Sequence, residues 1–134
     1  MTNLIILCGA SGSGKSTLSK KLAQEQNLTR LSMDELKFFL HSDLLPLVIE
    51  SLQSGENVIV DALYTKLKWR EAILEATKDF QCKRTLIFVD TPLDECIRRN
   101  RGRDGALPDF VIEDIYNSIE LPTLVESWDE ILYY

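Results

Sequence analysis

The chain has 134 residues, 45% of them apolar and 27% charged, with six Gly and four Pro. That composition fits a globular unit, excludes collagen-like, coiled-coil and largely disordered chains, and leaves no room for a second catalytic domain, so residues 1–134 are expected to form a single domain. The net charge of −6 is lopsided: residues 104–134 carry eight acids and no base, so any phosphate-binding surface must come from residues 1–103, and wrapping of long nucleic-acid duplexes is disfavoured.

In chain order, the apolar run Asn3–Cys8 predicts a buried strand, followed by a Gly/Ser loop and a helical pattern from Thr17 through Leu18, Leu22 and Ala23. A weaker strand is expected over Leu28–Ser32. Val58–Val60 and Thr85–Val89 read as two further buried strands, each ending in an acid, Asp61 and Asp90, and Glu130–Tyr134 as a fifth. Between them, Trp69, Ile73, Ala76 and Phe80 share one helix face, Leu93, Cys96 and Ile97 another, and Phe110, Val111, Ile115 and Ile119 a third. Thr91-Pro92 and Pro108-Asp109 mark helix starts, and Thr123 with Glu126 has the spacing of a capping box. Alternating strands and helices predict an α/β protein with an open parallel sheet, which binds ligands outside the carboxyl ends of its strands.

Cys8, Cys82 and Cys96 lack CxxC spacing and sit among apolar residues, so they are expected as reduced core thiols. No apolar run approaches the roughly 18 residues that span a bilayer, and no basic residue precedes the N-terminal run. A cytoplasmic protein with neither anchor nor secretion signal is expected.

Gly9-Ala10-Ser11-Gly12-Ser13-Gly14-Lys15-Ser16 matches GxxxxGK[ST] between a predicted strand and a predicted helix, where a phosphate-binding loop must lie. Its glycines let successive N–H groups turn toward a phosphate, the helix N-terminus adds partial positive charge, and Lys15 reaches the terminal phosphates. Gly12, Ser13, Gly14, Lys15, Ser16 and Thr17 are therefore the candidate ATP-binding residues, and Ser16 is a candidate ligand of Mg2+. No NKxD pattern for reading guanine is present, and the chain is too short for a helicase or transporter core. A small-molecule or nucleic-acid kinase suits the length.

Asp34, after the second strand, is the candidate base for an acceptor hydroxyl, although Ser32 and Glu35 around it also have the spacing of a capping box. Asp61, at the end of the third strand, is a candidate for the Mg2+ water shell or for orienting the acceptor. Asp90 is explained well enough as part of a loop before Thr91-Pro92. Arg98, Arg99, Arg101 and Arg103 put four guanidinium groups at a helix end and in the loop before Pro108, as a lid over transferring phosphate oxygens requires. His41 is expected as a helix-end residue without a catalytic part.

Together the P-loop, the Asp34 segment, the Val60-Asp61 strand end, Arg99-Asn100…Arg103…Leu107-Pro108 and the Tyr116 helix resemble the polynucleotide 5′-kinase family. More broadly they resemble small P-loop kinases that include nucleic-acid, tRNA and zeta-toxin-like kinases. The resemblance implies strand order 2-3-1-4-5, a general base at Asp34, ATP and Mg2+ contacts from Lys15, Ser16, Arg99 and Arg103, and a hydroxyl acceptor such as a nucleic-acid 5′ end. Two positions depart from the pattern: Lys37 stands where the family has Arg, and Ala62-Leu63-Tyr64 replaces a Thr-Asn segment. Lys37 remains a candidate acceptor contact but cannot form the bidentate clamp of a guanidinium on a phosphate. A zeta-toxin-like kinase of small metabolites or nucleotide sugars is the second expectation, and a nucleotide-binding regulator without turnover the third.

Overall fold

The computed structural model describes residues 1–134. The elements run β1 (Thr2–Cys8), α1 (Lys15–Gln26), β2 (Thr29–Ser32), a 3₁₀ turn (His41–Leu44), α2 (Leu45–Gln53), β3 (Val58–Asp61), α3 (Leu67–Ala76), β4 (Cys82–Phe88), α4 (Leu93–Arg101), α5 (Asp109–Asn117) and β5 (Glu130–Tyr133). The five strands form one sheet in the order β2-β3-β1-β4-β5, with every pair parallel. All strand carboxyl ends therefore fall on one edge. The expected sheet and its order are both present.

Alternation along the strands explains the layering. Leu4, Ile6 and Cys8 of β1, Val58 and Val60 of β3, and Leu86 and Phe88 of β4 face a cluster completed by Leu44, Val48 and Leu52 and by Ile73 of α3. The residues between them, Ile5, Leu7, Ile59 and Ile87, face the opposite cluster with Leu18 of α1. With both faces covered, the central strands read as unbroken apolar runs, and each fully buried aliphatic side chain contributes about 1.5–3 kcal/mol. Cys8, Cys82 and Cys96 are all buried thiols, and burial pushes Cys8 up to about 11.

Several local expectations are corrected. Helix α1 begins at Lys15 rather than Thr17, and β4 starts three residues before Thr85. Phe80 packs against the core from beyond the end of α3. On α5 the buried residue is Ile112, while Phe110 is 63% exposed. Thr123 and Glu126 do bond to one another, Thr123 N–H to Glu126 Oε2 at 3.0 Å, but no helix follows. Glu126 is drawn instead to Arg70, whose guanidinium is fully buried and donates to both carboxylate oxygens at 2.8 and 3.2 Å and to Tyr64 O at 2.8 Å. Burial pushes the Glu126 carboxyl up, and hydrogen bonds from Arg70, Trp128 and Thr123 more than reverse that push, leaving it below the usual range.

Candidate functional site

The loop between β1 and α1 folds tightly against α4. Gly12 has φ +81°, and a Cβ there would lie 2.4 Å from Cys96 O. Gly14, at φ +102°, is the N-cap of α1, and a Cβ there would meet Arg99 Nη1 at 2.9 Å. No side chain caps α1 and no acid stands in its first turn, so its leading N–H groups are left for an anion. The Lys15 ammonium lies inside this loop and donates to Ala10 O at 2.9 Å. Burial lowers its pKa from the ordinary lysine value, while the nearby Asp61 carboxylate pulls the other way.

Above the loop stands α4. Arg99 donates to Ser13 O at 3.1 Å and to Glu95 at 2.9 Å, and the Thr91 hydroxyl reaches the same Ser13 carbonyl at 2.6 Å rather than capping α4. The other guanidinium groups of the run divide: Arg98 pairs with Glu95 and Arg101 with Asp109, and neither lines the cavity that holds the phosphate loop. Two hydrogen bonds join the buried Asn100 side chain to Leu107, N–H···O at 2.7 and 3.1 Å, and fold the 102–107 loop back so that Arg103 and Leu107 face the phosphate loop.

Opposite the lid, β2 leads into a turn that holds Asp34. Met33 N–H donates to Asp61 O and Phe38 N–H to Met33 O, both at 3.1 Å, and Lys37 takes a left-handed conformation with φ +57°. Ser32 Oγ accepts from Glu35 N–H at 3.4 Å, half of the expected box, in a turn with no helix behind it. Glu35 faces Arg30 at 2.8 Å and Lys20 at 3.9 Å, and the Arg30 contact holds its carboxyl below the usual range. Asp34 is exposed toward the cavity.

One cavity of about 670 Å³ takes in all three walls. It brings together Gly12, Gly14, Lys15, Ser16, Thr17, Asp34, Asp61, Arg99 and Arg103 of the sequence-predicted set. Lys37 and Ser13 are not on its lining. Ser13 is 2% exposed, its Oγ buried without a partner. Thr17 and Arg99 also border a second hollow, of about 570 Å³, with Tyr134.

The main residue that motif reading missed is Arg30. Its guanidinium donates to Asp61 Oδ2 at 2.8 Å, to Ser19 Oγ at 2.7 Å and to Ser16 Oγ at 3.3 Å, so it binds the two metal-candidate residues into one network. Ser19 also donates to Asp61 Oδ2, at 3.0 Å. The signal was a lone Arg on a strand beside the one ending in Asp61, with Ser32 and Asp61 in register. Phe38, Phe39, His41 and Trp69 complete the cavity wall beyond Asp34.

The AAA domain family matches residues 4–122 of this sequence. Among curated proteins, the L-seryl-tRNA(Sec) kinase of Methanococcus maripaludis is 25% identical over 94% of this chain and 56% of its own length. The bifunctional polynucleotide phosphatase/kinase of Schizosaccharomyces pombe is 22% identical over 96% of this chain and 32% of its own length. The chain thus spans about half and a third of these relatives. Among solved structures, a sugar kinase from Janibacter superposes with a TM-score of 0.79 at 18% identity, covering 99% of this chain and 86% of that one, a likeness of fold.

Proposed function

Because the chain belongs to the AAA domain family, with kinases among its relatives, we propose that residues 1–134 form one phosphotransfer unit: an ATP- and Mg2+-dependent kinase acting on a hydroxyl, most favourably a nucleic-acid 5′-hydroxyl end. One observation carries this reading. A single cavity is lined by the phosphate loop, by a carboxylate on the opposite wall, and by two arginines, one on α4 and one in the loop after it.

In this reading the N–H groups at the start of α1, with Lys15, hold the β- and γ-phosphates, and Arg99 and Arg103 close over them. Asp34 accepts the proton of the acceptor hydroxyl as its oxygen bonds to the γ-phosphorus. The bond from that phosphorus to the β,γ-bridging oxygen breaks, and ADP leaves with the electron pair. Lys15, Arg99 and Arg103 offset the charge gathered on the transferring and leaving oxygens.

Ser16 and Asp61 fit Mg2+. Both supply hard oxygen atoms on the cavity wall, and no group of three or more His, Cys, Asp or Glu is arranged to cage a metal alone, which suits a cation that brings its own waters and phosphate oxygens. When bound, it would neutralise phosphate charge and help align the triphosphate. Arg30 Nη2 bridges the two, 2.8 Å from Asp61 Oδ2 and 3.3 Å from Ser16 Oγ, so the cation would take the remaining lone pairs of these oxygens.

A second reading, phosphorylation of a small metabolite or nucleotide sugar, is favoured by the net charge of −6, which works against affinity for long polyanions. γ-labelled ATP offered with DNA and RNA 5′-hydroxyl ends, tRNA, nucleosides and amino-sugars tests both. Label on 5′-hydroxyl ends is the expected result. Label on small acceptors alone favours the second reading, and nucleotide binding without acceptor-dependent ADP release contradicts a kinase and leaves a nucleotide-binding regulator.

A further inference from the structure

The cavity wall beyond Asp34 is unlike the phosphate end. His41 and Trp69 stack with ring centroids 4.0 Å apart and planes 12° from parallel, and Tyr64 supports His41 edge-on at 4.8 Å and 79°. Tyr64 is fully buried and is held at φ +45°, a strained conformation for a residue with a side chain. Burial lowers the His41 pKa to about 4, so at neutral pH the ring is an uncharged flat surface. Phe38 continues the wall, and Phe39, on the same cavity, is 93% exposed. Leu36 and Leu40 beside it are also exposed, so this rim is a local apolar patch rather than a single stray side chain.

Two buried polar atoms here lack partners, His41 Nδ1 and the Tyr64 hydroxyl, and both residues border a side cavity of about 160 Å³. Tyr64 borders this side cavity and not the main one, so its orphan supports the stack from behind, and the pointer to a flat ligand is the aromatic wall itself: Phe38, Phe39, His41 and Trp69 line the same cavity as Asp34. A nucleobase answers it well, having two π faces and hydrogen-bonding edges.

We propose that Phe38, Phe39, His41 and Trp69 form a stacking platform for the base of the acceptor nucleoside, presenting its hydroxyl to Asp34. This rests on the kinase reading for the role of Asp34, but the platform itself is a binding site that is measured without turnover. Lys68 places its ammonium 5.9 Å from the Trp69 centroid. With a net charge of −6 on the chain, recognition is of a terminal nucleoside rather than of a long polyanion.

The test uses the full chain and two 3′-dye-labelled trinucleotides with 5′-hydroxyl ends, one with a normal terminal base and one abasic there, compared by fluorescence anisotropy. The base-bearing oligonucleotide should bind on the order of 10- to 100-fold tighter, the range expected of base–aromatic stacking. Phe39→Ala should shrink that ratio several-fold while leaving circular dichroism unchanged, since the ring is exposed. The salt dependence should be shallow, a log–log slope of about −1 to −2.

Equal affinity for the two oligonucleotides, no binding of either, or an unchanged ratio in Phe39→Ala overturns the platform. So does a slope steeper than about −4 for a twelve-nucleotide strand with the same 5′ end, which marks a polyanion surface. Equal binding together with phosphoryl transfer to a sugar removes the platform and leaves the kinase reading. Base discrimination without transfer to any hydroxyl supports the platform and removes the kinase reading.

Discussion

Asp34 and Glu35 are adjacent carboxylates with different surroundings. Glu35 is held by Arg30 and Lys20, whereas Asp34 looks into the cavity that Lys15 enters from the other side. A carboxylate occupied by a guanidinium is a poor proton acceptor, which favours Asp34 over Glu35 as the proposed base. Asp34→Asn should lower phosphoryl transfer on the order of 10²- to 10⁴-fold with ATP affinity nearly unchanged, checked by steady-state kinetics beside equilibrium nucleotide binding. Near-parental turnover would remove Asp34 from that role. At this scale the phosphate loop was legible because its residues are contiguous and each has a local reason. Arg30 was not, because its partners Asp61 and Ser16 come to it through strand register and helix placement, which local spacing does not express.

Between elements, the Arg70–Glu126 pair ties the acidic segment before β5 to α3. Nearby, Glu120 N–H donates to Thr65 O at 2.8 Å and Lys66 Nζ to Ser118 O at 3.1 Å. Removing one member of a buried ion pair strands the other, so Arg70→Ala should cost about 3–5 kcal/mol, read as a lower urea midpoint. His41 sets a pH dependence. Its folded pKa of about 4 lies below the ordinary 6.5, so the unfolded chain takes up the proton first. The associated stability is present above pH 6.5 and drains as pH falls toward 4. Screening at this half-buried position limits the loss at pH 5 to about 1–2 kcal/mol. Melting curves at pH 7 and pH 5 should show it in the parent and not in His41→Phe, which keeps a stacking ring without a titrating group.

The same elements show why sequence reading reached some boundaries and missed others. The strands were legible because burial on both faces leaves an apolar run. Helix α2 was not anticipated, since Leu44-Leu45-Pro46-Leu47-Val48-Ile49 is too uniformly apolar to reveal a period, and only the fold selects Val48 and Leu52 as its buried face. The helix expected from Thr123 does not form although Glu126 accepts from Thr123 N–H, because Asp129 N–H is already given to Arg84 O and β5 begins at Glu130, which leaves room for a single turn.

Across the molecule, the strand order β2-β3-β1-β4-β5 decides what meets at the site. It sets the carboxyl ends of β1, β2 and β3 side by side, so the phosphate loop, the Asp34 turn and Asp61 converge although they are far apart in sequence. No helix is long and apolar enough to cross a membrane. The acidic stretch from residue 104 onward is also partly structural: Asp109, Glu126 and Asp129 each bind a specific arginine or backbone group.

Phosphoryl transfer here begins with the grip of the phosphate loop on a triphosphate. Isothermal titration of ATP with Mg2+ into the full chain tests it most directly. Saturable heat at one site per chain, lost in Lys15→Ala while the variant's circular dichroism stays that of the parent, is the predicted result. Absence of heat from the parent chain, or binding indifferent to Lys15, would contradict it.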